Sequence, residues 1–98
     1  MEVVYNDKKL ALLETSRAAE TKLSAVLIES FRKKLAILRA ATDERTLRNW
    51  KSLHYEKLSG DREGQRSIRL NAQMRLIFTL DTSASPPLVT ILEIGDYH

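Results

Sequence analysis

Residues 66–80, RSIRLNAQMRLIFTL, constrain the fold more tightly than any other stretch of the chain. Ile68 and Leu70 alternate with Ser67, Arg69 and Asn71, and Met74, Leu76, Phe78 and Leu80 alternate with Arg75, Ile77 and Thr79. Period two is the spacing of a strand that buries one face. Two such strands joined by a short loop share a core only if both apolar faces lie on the same side of the sheet. A tight turn centred on Ala72 meets that condition by pairing Leu70 with Met74 and Ile68 with Leu76. The same register sets Arg69 directly opposite Arg75. Like charges so placed destabilise an antiparallel pair by up to roughly 1 kcal/mol. The arrangement therefore calls for solvent, a neighbouring acid or a bound anion between the two guanidinium groups, and a phosphate fits that requirement.

The flanking sequence completes an α+β domain. MEVVY reads as a short first strand, after which Asn6 or Asp7 caps a short helix through Leu10 and Leu13. Leu23, Val26, Leu27, Phe31, Leu35 and Leu38 recur at three- and four-residue steps and predict a longer helix from about residue 20 to 41. Thr42 or Asp43 caps one further turn, whose Trp50 is expected to anchor in the core. LHYEKL then alternates weakly, SGDREG reads as a turn-forming loop, and LVTILEI supplies a last strand after the SASPP loop. The expected architecture is two N-terminal helices packed on a small antiparallel β-sheet, with residues 1–98 forming a single domain.

Composition narrows the function. Ninety-eight residues, 43% hydrophobic and 30% charged, suit one globular core, and no run approaches the ~18 apolar residues of a membrane span. There is no cysteine, hence no disulfide framework or thiolate metal site, and the N-terminus lacks the order of a signal peptide. A cytoplasmic protein without membrane contact is expected. The net charge of +3 is unevenly spread: residues 48–75 hold seven Lys and Arg against three Asp and Glu, whereas residues 76–98 hold three acids and no Lys or Arg. A basic stretch of this kind either attracts polyanions or is a solvated surface; Arg48, Lys51, Arg62 and Arg66 are its candidate contacts, to RNA if the chain is a nuclease.

The only histidines are His54 and His98, with no paired acid spacing around them, so no metal site is expected. GDREG has neither the lysine nor the length of a phosphate-binding loop and does not match a dinucleotide fingerprint, so no cofactor is expected either. What remains is Arg, Lys, Tyr and His, the minimum kit for cleaving RNA. There the ribose 2′-hydroxyl attacks its own phosphodiester, and the protein need only move protons and stabilise charge building on phosphorus. Arginines suit the last task because their planar fork matches phosphate oxygens. The last strand ends in Gly95, Asp96, Tyr97 and His98, of which His98 can act as acid or base near neutrality. His54, far from the Ala72 turn, is read as structural.

LSGDREGQRSIRLNAQMRLIF, followed by a final DYH, resembles the HigB toxins of the RelE/ParE superfamily, the toxins of bacterial type II toxin–antitoxin systems. The resemblance covers residues 56–98 closely and the remainder in layout. It implies a ribosome-dependent endoribonuclease that cuts translated messenger RNA in the decoding site. It also implies a HigA-like helix-turn-helix antitoxin that neutralises the toxin and brings the pair to operator DNA. By position, Arg75 is similar to the family arginine that stabilises the transition state, His98 to the terminal catalytic histidine with Tyr97 beside it, and Arg69 to a phosphate contact. The chain departs from the family at Ser59, where a lysine is common, at Glu56, where a histidine is common, and at Met74, where an aromatic is common. Lys57 is read as the substitute for the missing lysine, and His54 does not align with the family histidine. Two alternatives share the fold: a ParE-like toxin that binds DNA gyrase without nuclease chemistry, and a degenerate member that only binds antitoxin as a corepressor.

Overall fold

The protein's structure, a computed structural model, describes residues 1–96; Tyr97 and His98 lie outside the described residues. Strands Glu2–Tyr5 (β1), Glu56–Lys57 (β2), Gln65–Arg69 (β3), Arg75–Asp81 (β4) and Leu88–Gly95 (β5) form one sheet in the order β1-β5-β4-β3-β2. Helices Lys8–Ala11 (α1), Ala25–Ala40 (α2) and Glu44–Asn49 (α3) lie between β1 and β2 in the chain. The α+β class and the layered arrangement match the sequence reading. One feature of the sheet differs: β1 runs parallel to β5, whereas the remaining pairs are antiparallel. Period two sets which face is buried, not the direction of the neighbouring strand, so the sequence left this point open.

Helix boundaries follow the caps. Asp7 accepts a hydrogen bond from the Lys9 amide and starts α1, which tightens into a 3₁₀ turn at Leu12–Glu14 and buries Leu13. The long helix starts at Ala25 rather than near residue 20, because Ser24 caps it by accepting from the Leu27 amide. The preceding Ala18–Thr21 is a separate 3₁₀ turn that ends at Lys22 in the left-handed region, φ 64°. Leu27, Phe31, Leu35 and Leu38 make one buried stripe along α2. Val26 stands one residue, about 100°, off that stripe and is 75% exposed, so its place in the apolar periodicity was coincidental. Asp43 caps α3 through the Thr46 amide, but the helix ends at Asn49. Trp50 leaves it in extended conformation and is 45% exposed; Leu47 and Leu53 take the core positions expected of the tryptophan.

The core lies between α2 and one face of the sheet, where Phe31, Leu35 and Leu38 join Ile68, Leu76, Phe78, Val89 and Ile91. Two polar ties fix the helix to the sheet. Ser30 Oγ donates to the Leu70 carbonyl at 2.5 Å, and Glu14 accepts from both the Tyr5 hydroxyl and the Arg39 guanidinium, joining β1, the first 3₁₀ turn and α2. The Met1 ammonium donates to the carbonyls of Leu38, Arg39 and Ala41 at 3.2, 2.9 and 2.7 Å, where the end of α2 leaves acceptors unpaired and its dipole favours a cation. Among the described residues no helix is long and apolar enough to cross a membrane.

Candidate functional site

The β3–β4 hairpin has the register the apolar pattern requires: Ile68 pairs with Leu76, and Arg69 stands opposite Arg75. The Leu70 amide donates to the Met74 carbonyl at 2.9 Å, and Asn71 Oδ1 accepts from the amides of Gln73 and Met74, closing the turn around Ala72. The Ser30 hydroxyl holds the same turn against α2, so the guanidinium pair projects from a hairpin that is fixed at its tip. Both arginines point away from the helices. Met74 packs partly against the core, as the register demands.

On that open face the strands assemble rows. Glu56, Ser67, Ile77 and Glu93 are register partners across β2, β3, β4 and β5, and Arg69, Arg75 and Gly95 form the neighbouring row. A bulge between Ile77 and Phe78, opposite Leu92, puts Glu93 in this row. Ser67 and Ile77 are fully buried although they face away from the main core. Arg62, carried by the loop before β3, pairs with Glu93 at 2.5 Å and donates to Gln65 at 3.0 Å, so it spans β4 beside those buried residues. Gly60 and Gly64 lie at φ 65° and 90° and let this loop turn back.

Arg75 is only 14% exposed. Its Nε donates to Ser67 Oγ at 2.8 Å, its Nη2 donates to the His54 carbonyl, and the Glu56 carboxylate lies 3.7 Å from Nη2. Arg69 Nε donates to the Asn71 carbonyl at 3.1 Å and its Nη1 lies 3.1 Å from His54 Nε2. Arginine has no acceptor, so a hydrogen bond here is one that Arg69 donates to the lone pair on His54 Nε2. His54 therefore serves both arginines, with its ring on Arg69 and its carbonyl on Arg75. Its backbone lies in the left-handed region, φ 48°, at the end of the 3₁₀ turn Lys51–Leu53.

Sequence reasoning missed that placement. The β2–β3 ladder pairs Glu56 with Ser67, and extending it by two residues brings position 54 opposite Arg69. That was the available signal, but a two-residue strand has too little pattern for its register to be read in advance.

The remaining basic residues are divided. Lys57 and Arg66 pair with each other in register and lie in the row of Phe78, on the helix-facing side of the sheet. The structure does not bring Lys57 to the arginine pair. Lys57 Nζ and Arg66 Nε instead lie 3.7 and 3.6 Å from the Glu44 carboxylate of α3, which also accepts from the Tyr55 hydroxyl at 2.6 Å. The Tyr55 hydrogen bond, with the charges of Lys57, Arg48 and Arg66, holds the Glu44 carboxyl below its ordinary range. Burial and the same carboxylate push Tyr55 up to about 12. Arg48 thus belongs electrostatically with this second cluster, while Lys51 lies in the exposed segment after α3. The basic stretch read from sequence as one patch is split between the two sides of the β2 edge. Tyr97 and His98 follow β5, whose Gly95 pairs with Arg75, and lie outside the described residues.

Three guanidinium-bearing residues on an open sheet face, two of them adjacent and held by neutral acceptors, can bind a phosphodiester and stabilise charge that develops on it. Among the described residues no group of His, Asp and Glu is arranged to hold a metal ion.

The HigB-like toxin family, described as RelE-like toxin of type II toxin-antitoxin system HigB, matches residues 4–88, which include His54, Arg69 and Arg75. Among solved structures, the YoeB/ParE toxin from Agrobacterium tumefaciens has a TM-score of 0.64 at 17% identity, with all of both chains covered. YafQ from E. coli has a TM-score of 0.64 at 15% identity, covering 97% of this chain and 91% of that one. A chain of the heterotetrameric YoeB–YefM toxin–antitoxin complex from Staphylococcus aureus has a TM-score of 0.60 at 18% identity, covering 100% and 97%. At such identities the likeness shows a shared fold. No curated protein sequence matches this chain.

Proposed function

Because the chain belongs to the HigB-like family of RelE-like toxins of type II toxin–antitoxin systems, we propose that it is an endoribonuclease that cuts messenger RNA on the ribosome, in the cytoplasm. The observation that carries this reading is the Arg69–Arg75 pair, placed side by side on a fixed hairpin and oriented by Ser67, Asn71 and His54. Like charges held side by side by neutral hydrogen-bond acceptors, with the exposed Glu56 carboxylate 3.7 Å from Arg75, favour a bound anion.

In the reaction, the ribose 2′-hydroxyl attacks the adjacent phosphorus while losing its proton to water, and the P–O5′ bond breaks as the leaving oxygen gains one from an acid. The products are a 2′,3′-cyclic phosphate and a 5′-hydroxyl end. Arg75 and Arg69 stabilise the charge on the non-bridging oxygens. His98, which resembles the family's terminal catalytic histidine and has Tyr97 beside it, supplies the proton to the leaving oxygen. Arg62, Arg66, Arg48, Lys51 and Lys57 serve binding rather than chemistry, along the two sides of the β2 edge. The partner that silences the toxin is a helix-turn-helix antitoxin, which carries the complex to operator DNA. The likeness to a toxin chain from a YoeB–YefM complex supports an antitoxin partner.

The experiment is to add the purified protein to ribosomes stalled on a defined message and map new RNA 5′ ends, with free message in parallel. Cuts confined to the decoding-site codon of ribosome-bound message are expected. Intact message under both conditions would refute the nuclease reading and favour a binding toxin of the gyrase-directed kind.

A further inference from the structure

Glu56 stands in the same open-face row as Ser67 and is a register partner of it, so its carboxylate is directed to the group that Ser67 orients. The Arg75 fork has five N–H donors. Ser67 takes the one on Nε and the His54 carbonyl takes one on Nη2. Among the described residues, one Nη2 hydrogen and both Nη1 hydrogens have no hydrogen-bond acceptor, and the Glu56 carboxylate lies 3.7 Å from Nη2. The two ends of this ion pair are unequal: Arg75 is 14% exposed and Glu56 is 63% exposed. The arginine is fixed by its surroundings, whereas the acid reaches in from the edge strand and can swing out into water.

Resting on the nuclease reading, we infer that Glu56 is a specificity-determining residue: an internal anion that competes with substrate phosphate for Arg75 and so disfavours RNA that brings no other binding energy. A free strand must displace the carboxylate and accept its repulsion with few additional contacts. A message held on the ribosome is presented to the docked protein at a high effective concentration, so the site fills despite the same cost, whereas a free strand at low concentration does not fill it. Among the described charged groups of this face, Glu93 is engaged by Arg62 and Arg69 faces the His54 ring.

The test measures binding of a short single-stranded RNA with 2′-O-methyl riboses, which cannot be cut, by fluorescence anisotropy. Wild type, Glu56→Gln, Arg75→Ala and the double variant are compared. Glutamine keeps the shape and removes the charge. Glu56→Gln is expected to tighten binding about three- to fivefold, the upper range for an exposed ion pair, with no tightening when Arg75 is already alanine. On cleavable RNA the variant should gain more on free message than on ribosome-bound message. Equal affinity of Glu56→Gln and wild type, with Arg75→Ala weaker than both, would overturn the inference and leave the nuclease reading standing. Equal tightening with and without Arg75 would overturn it as a general surface-charge effect. An Arg75→Ala variant that binds as well as wild type would overturn the inference, because the carboxylate would then have no phosphate contact to compete for, and would leave the nuclease reading to the cleavage assay.

Discussion

Arg75 illustrates how a surface-type residue becomes part of a site. Its side chain is largely covered, and among the described residues it is held by hydrogen bonds to Ser67 and to the His54 carbonyl, with only the exposed Glu56 carboxylate near its charge. Ser67 is therefore a positioning residue. Ser67→Ala is expected to lower the single-turnover cleavage rate about tenfold, because a mis-aimed fork loses its alignment with the phosphate. Stability should fall by about 1 kcal/mol from the lost hydrogen bond, read as a shift in denaturant midpoint. At the terminus, His98→Ala should reduce the cleavage rate at least ~100-fold with no change in the melting transition, as the proposed general-acid role requires. At this scale the arginine pair was legible in sequence, since alternation alone fixes which residues face each other. His54 was not, because its importance comes from a backbone carbonyl and a left-handed turn, neither of which leaves a mark in residue type. Glu56 was visible as a departure from the family pattern, but its ion pair with Arg75 depends on the register of a two-residue strand.

Elements that carry a long pattern were read well, and those that depend on a single cap or a chain reversal were read less well. The stripe Leu27, Phe31, Leu35 and Leu38 predicted α2, yet Ser24 and the left-handed Lys22 set its start. Ser24→Ala should cost about 1 kcal/mol, measured by urea unfolding, as for other lost N-caps. Leu35→Ala removes a fully buried side chain from the middle of the stripe and should cost about 2–5 kcal/mol in the same assay. Trp50 shows the converse limit: size and hydrophobicity suggested an anchor, but α3 ends one residue earlier and turns the ring outward. The parallel pairing of β1 with β5 was equally hidden, because a four-residue strand says which side it buries and nothing of its neighbour's direction.

The whole molecule links the site to conditions in solution. Glu14 and Glu44 titrate below their ordinary value of 4.5, Glu14 chiefly through the Arg39 hydrogen bond and Glu44 chiefly through that of Tyr55. The stability they contribute is present above that value and is lost as pH falls through the depressed one. Tyr55 moves the other way, so its contribution is present below 10.0 and is lost as pH rises from there to about 12. Melting temperature should accordingly decline at both ends of the pH range, and Tyr55→Phe should flatten the alkaline limb. The two basic clusters should also make ribosome binding weaken as salt rises, since phosphate contacts release counterions. The central claim is that the Arg69–Arg75 face stabilises charge on a phosphodiester of ribosome-bound message. Its most direct test is single-turnover cleavage of a defined message on stalled ribosomes by wild type and Arg75→Ala, with circular dichroism of both. A loss of at least ~100-fold with an unchanged spectrum is the predicted result. Cleavage at the wild-type rate by a folded Arg75→Ala protein would contradict it.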